Sequence, residues 1–348
     1  MAKMSVLVVF AAGAIALGAQ AAEVLEEAAP AEGELDVEVE IGEFGPMRVA
    51  FTEHTGTFDQ IAVAIPALYA ELGKQGITPL GAPMGIYYND PQAVPEEKLR
   101  WEIAVPVPEK AEPAEPLKVK TIAKCTVVRA EYEGPADKTG DVYELLGFEA
   151  LARDHVPVGP AMEVFKSQPK NGVIKCTVMF VVEKAPPLDV EIVEFGPQTI
   201  AYTAHTGGYG QIPAAIEELF KVLEAQQIEV GGPLMAIYLN DPVWTPEEDL
   251  KWQIAVPVSD LVDVTEPLEV KRIDKCTVAR AAYKGPVDKL SRAYLALCGR
   301  ALKRGYSPDG PAMELLGQPP ENGVYECTIM FSVHKMDAAH EQQQAEDE

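Results

Sequence analysis

Positive charge is scarce in this sequence. Lys and Arg number 29 against 54 Asp and Glu in 348 residues, a formal net charge of −25. Phosphate backbones are held by basic faces, so this balance argues against nucleic acid as a partner. It argues equally against attraction to an anionic membrane surface. It favours solubility and a mild pull on cations. Histidine is rare too, with five residues. Neither His54 nor His205 has a partner at metal-ligand spacing, so both read as packing or capping residues. The D-x-D-x-D-G calcium pattern, a glycine-rich phosphate loop and a G-x-S-x-G nucleophile turn are absent. No metal and no cofactor are expected. Long apolar runs are missing as well. The longest, residues 5–17, is about 13 residues, short of the roughly 20 that span a bilayer.

That short run has a different meaning. It follows a basic start at Lys3 and precedes small residues at Ala19 and Ala21. This is the pattern of a secretory signal, read here as residues 1–22, with cleavage after Ala21 or Ala22. The expected location is therefore outside the cytoplasm, periplasmic or secreted. Residues 23–38 and 336–348 are acidic and poor in aromatics, and read as a flexible leader and tail.

What the chain has in abundance is itself. Residues 39–184 align without a gap on 190–335, and about half of the aligned positions are identical. VEIGEFGP at 39–46 returns as VEIVEFGP at 190–197, and LRWEIAVPV at 99–107 as LKWQIAVPV at 250–258. A period this long is a duplicated domain. Residues 185–189, with Pro186 and Pro187, form the linker. Each copy reads as doubled again, in the order strand, helix, strand, strand, twice over. The class is α+β, with two tandem domains of two such modules each. Cys125 with Cys176, and Cys276 with Cys327, recur at matched places near the starts of strands expected to run antiparallel. Such starts lie at opposite ends, beyond the ~7 Å Cα limit of a disulfide. Buried thiols are favoured over bridges, although export would permit bridges. Cys298 lies with Tyr294, Ala301 and Leu302 on one helical face and reads as a small core residue.

The ordered set YYNDPQAVPEEKLRWEIAVPV at 87–107, YEGP at 132–135 and GPAMEVF at 159–165, present in both copies, resembles the GyrI-like domain, also known as the AraC-type or BmrR-type effector-binding domain. The resemblance covers residues 38–335. It implies two modules about a pseudo-two-fold axis, with a cleft that takes small cationic or aromatic ligands. Some members of that family regulate transcription through a helix-turn-helix domain, for which this chain has no room. Others bind gyrase or hydrolyse cyclopropane-bearing toxins. The family pocket carries an acidic residue in a Thr-Glu-Ile-like stretch of the second module. Here KCTVMF at 175–180 and ECTIMF at 326–331 place Thr177 and Thr328 there. The symmetry-related positions are Glu102 and Gln253, so Glu102 alone of the four is ionisable.

Glu102 reads either as a cleft residue or as a solvated strand residue, with Trp101 and Trp252 turned to the helix side as core. Tyr87 and Tyr238 offer a flat wall for cation–π contact, or else hairpin packing. Asn89, Asp90 and Pro91 read as a turn. Glu163 and Glu314 match a strand acid of the family that faces the cleft. Phe58 and Tyr209 stand at helix starts that border its pocket, or else act as helix-entry staples. The expected ligand set is Phe58, Tyr87, Glu102, Glu163 and Thr177, with Tyr209, Tyr238, Gln253, Glu314 and Thr328. Because Glu102 becomes Gln253, a cation is expected to bind the first repeat more tightly. Loss of the acid at Thr177 and Thr328 favours a non-catalytic, exported small-molecule-binding protein. The alternatives are a hydrolase of strained electrophiles, using Glu102 or Glu163, and a scaffold for an envelope protein. If the export reading is right, intact-mass analysis of protein recovered from an exporting host gives a chain beginning at Ala22 or Glu23. A chain that retains Met1 to Ala21 overturns it.

Overall fold

The computed structural model describes residues 37–336, apart from 92–93, 171, 241, 243–244 and 318–323. The residues read as a signal, most of those read as an acidic leader and nearly all of those read as a tail lie outside the described residues. The chain divides between Lys184 and Ala185 into two compact units. Linker carbonyls of Pro186 and Leu188 accept hydrogen bonds from Arg300 of the second unit.

The first domain runs β1 (Val39–Phe44), β2 (Met47–Thr55), α1 (Ile61–Lys74), β3 (Met84–Tyr87), β4 (Arg100–Pro106), β5 (Lys118–Ile122), β6 (Cys125–Pro135), α2 (Thr139–Ala152), β7 (His155–Phe165) and β8 (Val173–Lys184). The second repeats the order as β9 (Glu191–Phe195), β10 (Gln198–Thr206), α3 (Ile212–Ala225), β11 (Met235–Tyr238), β12 (Lys251–Val258), β13 (Glu269–Ile273), β14 (Cys276–Pro286), α4 (Leu290–Leu302), β15 (Tyr306–Leu316) and β16 (Val324–Lys335). Each domain is one eight-stranded antiparallel sheet, ordered β1-β6-β8-β7-β3-β4-β2-β5 in the first. Exchanging the two modules reverses this order onto itself, which places the pseudo-two-fold axis between β3 and β7.

The first strand of each module differs from the expected single run. Residues 39–44 pair with β6 at one end of the sheet, whereas 47–51 pair with β5 at the other. The chain crosses from one end to the other in Gly45 and Pro46. Ala123 and Lys124 make the reciprocal crossing. Two residues cannot bridge a flat eight-stranded sheet, whose strands lie roughly 4.8 Å apart. The sheet is therefore rolled until its ends meet.

Rolling gives each sheet two different faces. The inner face is filled by its own side chains, Val49, Phe51, Met84, Ile86, Ala104, Val127, Met162 and Met179, with Phe44 and Ile122 closing the seam. The outer face carries both helices. α1 buries Ala64, Leu68 and Leu72, spaced i, i+4 and i+8, and α2 buries Val142, Tyr143, Leu146 and Ala150. They cover Trp101, Ile103, Val128, Val178 and Phe180. Strand alternation assigns every residue to one face or the other.

Several motifs prove structural. The Tyr132 hydroxyl donates to the Pro135 carbonyl at 2.7 Å, and its ring lies where a Gly134 side chain would be. This accounts for YEGP, and Tyr283 repeats it at 2.6 Å to Pro286. Asn89 Oδ1 accepts from the Arg100 amide at 2.6 Å, as Asn240 does from Lys251 at 2.8 Å, which holds the turns before β4 and β12. The His54 ring stacks on Trp101 at 4.3 Å and the His205 ring on Trp252 at 4.4 Å. All five cysteines are free thiols. Cys176 sits opposite Tyr132, seven residues along β6 from Cys125, a separation of about 23 Å at roughly 3.3 Å per residue.

The corner glycines are the weak points of this design. Gly45 has φ +71° and its missing Cβ would lie 3.0 Å from the Ala123 carbonyl oxygen; Gly196 has φ +73° and 2.9 Å to that of Asp274. A side chain there suffers both left-handed strain and a backbone clash. Gly45→Ala is expected to destabilise its domain by about 1–2 kcal/mol or more, whereas Gly73→Ala, in an open helical position, leaves stability unchanged or raised. Urea unfolding of both variants checks this.

Candidate functional site

The ten sequence candidates fall on two faces. Phe58, Tyr87 and Glu163, with Tyr209, Tyr238 and Glu314, belong to the helix-covered side. Glu102 and Thr177, with Gln253 and Thr328, lie on the inner side. The structure therefore does not assemble one site from all of them.

On the inner face of the first domain Glu102 is directly opposite Glu53 across the β2–β4 ladder. Two like charges so placed repel, and β5 answers with two lysines. Lys120 pairs with Glu102, and Lys118 pairs with Glu53 at 2.5 Å. Burial works against the Lys120 ammonium, but its bonds with Glu102 and Tyr88 outweigh that and its pKa is raised. In the second domain the same four places hold Ala204, Gln253, Glu269 and Lys271. Two acids with two bases become one of each, so both patches stay neutral. Lys271 donates to Gln253, and its pKa is lowered by burial against the opposing pull of Glu269. The exchange of Glu102 for Gln253 is thus one of a balanced set. The charge expected to favour a ligand cation in the first repeat is already neutralised by Lys120. Thr177 donates to Glu131 at 2.8 Å, and Thr328 lines a cleft of roughly 350 Å³ with Asp189, Glu191 and Arg280.

The helix-covered side holds a different arrangement. Register and alternation turn Glu163 of β7 to the outer face, under the helices, between Met162 and Val164, which face the other way. Its side chain is buried, at 3% exposure. Tyr87 of β3, equally buried, donates to Glu163 Oε2 at 3.0 Å. Tyr143 of α2 stands beside the carboxyl and donates to the Met162 carbonyl at 3.3 Å. Glu163 Oε1 has no hydrogen-bond partner. Burial raises the Glu163 pKa to about 7, with Tyr87 and Tyr143 partly opposing. Phe58, half-buried on the short 3-10 turn before α1, meets Tyr87 edge-on at 4.9 Å and Trp101 at 6.3 Å. Trp101 Nε1 donates to the Gly56 carbonyl at 2.9 Å and ties that loop down. The result is a buried acid beneath aromatic rings, with Phe58 as the outermost cover.

The second domain repeats the plan at Glu314, fully buried with a raised pKa from burial. Tyr209 meets Tyr238 at 5.0 Å. Here Tyr325 donates to Glu314 Oε2 at 2.6 Å, and Tyr294 approaches Oε1 at 3.4 Å. Sequence reasoning missed Tyr143, Tyr294 and Tyr325. A signal for the first two exists: α2 and α4 share few residues, yet the tyrosine is one of them. Thr177 and Thr328 stand on the inner face, and the buried acids Glu163 and Glu314 lie on the neighbouring strands β7 and β15. Among the described residues no group of His, Cys, Asp or Glu could hold a metal ion, and no helix is long and apolar enough to cross a membrane.

Glu163 makes stability depend on pH. Below about pH 4.5 both the folded and the unfolded carboxyl are protonated. Between 4.5 and 7 the unfolded chain has lost the proton and the folded one keeps it, so stability falls as pH rises; above 7 the whole cost of burying the charge stands. The gap corresponds to about 3 kcal/mol. Glu163→Gln is expected to match the parent chain at pH 4.5 and to exceed it at pH 8, as read by urea unfolding. An unchanged difference across that range contradicts the assignment.

The family model of the GyrI-like small molecule binding domain matches residues 37–182 and 188–334. No curated protein matches the chain. Among solved structures, a cryo-EM structure of an EcmrR–DNA complex shares 16% identity over 47% of this chain and 64% of that one, with a TM-score of 0.41. The crystal structure of the EcmrR C-terminal domain shares 15% over 43% of this chain and 99% of that one, at 0.37. A hydrolase from Listeria innocua shares 14% over 46% and 97%, at 0.32. Two consecutive matches spanning nearly all the described residues, each on a pseudo-symmetric eight-stranded unit, make this chain a member of the GyrI-like small molecule binding domain family, with the domain present twice in tandem.

Proposed function

We propose that the protein is a non-catalytic binder of small hydrophobic molecules carrying a positive charge or an N–H donor, and that it acts after export. The Glu163 carboxyl carries this reading: it is buried beneath aromatic rings with one oxygen unpaired. An ionised carboxylate in such a place is costly unless it is paired. A cation supplies the missing charge and donor at once, and Tyr87 and Trp101 supply apolar surface. Phe58, held through a single half-buried ring on a short turn, is the group a ligand displaces. Export rests on the pattern of residues 1–22.

Ionised Glu163 is the form that pairs with a cation, so affinity is expected to rise as pH passes upward through about 7. Charge-assisted hydrogen bonds exceed neutral ones by about 1–2 kcal/mol. Ethidium, an aromatic cation with exocyclic amines, is a suitable probe. Calorimetric titration at pH 8 is expected to show binding that weakens tenfold or more in Glu163→Gln and is unchanged in Glu102→Gln. No binding, or equal binding by Glu163→Gln, overturns the reading. The same carboxyl, with a pKa near 7, is also suited to acid–base work, which favours hydrolysis of a strained electrophile as the second reading. Turnover of a cyclopropane-bearing alkylating agent, abolished in Glu163→Gln, would select it.

A further inference from the structure

The two domains differ at the site in a way that ordinary drift of a core does not explain. Residue 174 on β8 and residue 325 on β16 are equivalent. The first is Ile174, an apolar member of the helix-side core. The second is Tyr325, whose hydroxyl donates to Glu314 Oε2 at 2.6 Å. A second exchange accompanies it. Gly85 on β3 leaves room for the Tyr87 ring, and a Cβ there would collide with the Tyr87 hydroxyl. The equivalent residue is Ala236. Tyr238 therefore cannot lie as Tyr87 does, across residue 85, yet its hydroxyl still favours the ionised Glu314 carboxyl, and the Tyr325 bond to Oε2 is an addition that the first domain lacks. Tyr294 lies 3.4 Å from the other oxygen, with its hydroxyl nearer to the Met313 carbonyl at 3.1 Å, as Tyr143 is placed toward Met162 in the first domain. Glu314 is thereby closed by a tyrosine hydroxyl that has no counterpart in the first domain, where Glu163 keeps Oε1 without a hydrogen-bond partner.

We propose that Tyr325 is a built-in substitute for ligand, so that the chain holds one working site, at Glu163, and one self-closed copy of it, at Glu314. The proposal rests on the reading of Glu163 as the ligand's carboxylate. A ligand donor arriving at Glu314 must break the Tyr325 bond and displace a ring from a space that is already filled. At Glu163 the same donor meets an oxygen with no bond to lose. Ile174 and Tyr325 thus set which domain binds, while the surrounding fold stays the same.

Calorimetric titration of the full chain with ethidium at pH 8 tests this by counting sites. The parent chain is expected to bind one equivalent, lost in Glu163→Gln and kept in Glu314→Gln. Tyr325→Ile is expected to bind two. The double variant Gly85→Ala/Ile174→Tyr copies a pair that the second domain already accommodates, and is expected to weaken the parent site at least tenfold. It carries the test if Tyr325→Ile fails to fold. Two equivalent sites in the parent chain, an unchanged count in Tyr325→Ile, or unchanged affinity in the double variant overturns the inference and leaves the reading of Glu163 standing. No binding by the parent chain with one equivalent in Tyr325→Ile overturns the reading of Glu163 and leaves Tyr325 as the closing residue. No binding by any version overturns both.

Discussion

The two-residue corners at Gly45–Pro46 and Ala123–Lys124 are the constraint on which each domain depends. They hand a strand from one end of the sheet to the other, and no flat sheet permits that. Once the sheet is rolled, its inner face has no need of a helical layer, because Phe51, Met84, Met162 and Met179 fill it from the strands themselves. Both helices are then free to lie on the outer face. Every later question about the site becomes a question of which face a residue takes, and strand parity settles that.

Parity separates the two acidic candidates of the first domain. Glu102 and Glu163 are both nearly inaccessible, at 6% and 3% exposure, but their surroundings differ. The inner face lies next to β5, an edge strand whose lysines reach across it, so Glu102 is neutralised locally. The outer face is sealed by apolar helix surface and offers only phenol hydroxyls. A carboxyl there is kept largely protonated or must find its counter-charge outside the chain. Desolvation without a counter-charge, rather than the acid's position in a motif, is what raises the pKa of Glu163.

Duplication has treated the two faces differently. On the inner face Glu53, Glu102 and Lys118 changed together to Ala204, Gln253 and Glu269, and neutrality was preserved. On the outer face Gly85 and Ile174 changed to Ala236 and Tyr325, and the hydrogen bonding of the acid was altered instead. The first set maintains the fold. The second changes what the fold leaves unsatisfied, which is the quantity a ligand can exploit.

The sequence by itself determined the duplication, the α+β class, the family and the order of elements apart from the break in each module's first strand, because these are written in periodicity, in repeated words such as HTG and GPAME, and in turn residues whose local chemistry is sufficient. It also placed Trp101 and Trp252 on the helix side through simple alternation. The acid in GPAME was visible as a repeated residue, and so was the matched tyrosine of α2 and α4. What only the tertiary structure decided is which residues share a face across strands far apart in sequence. The break of the first strand at Gly45 is silent in a pattern of alternating residues, because both halves alternate correctly. Yet it moves one half to the opposite end of the sheet, where that half pairs with β5 and β4 and so brings Lys120 to Glu102. Nor could the sequence show that one Glu163 carboxylate oxygen is left without a partner, since an unsatisfied group is defined by what does not reach it, and that is a property of the assembled interior alone.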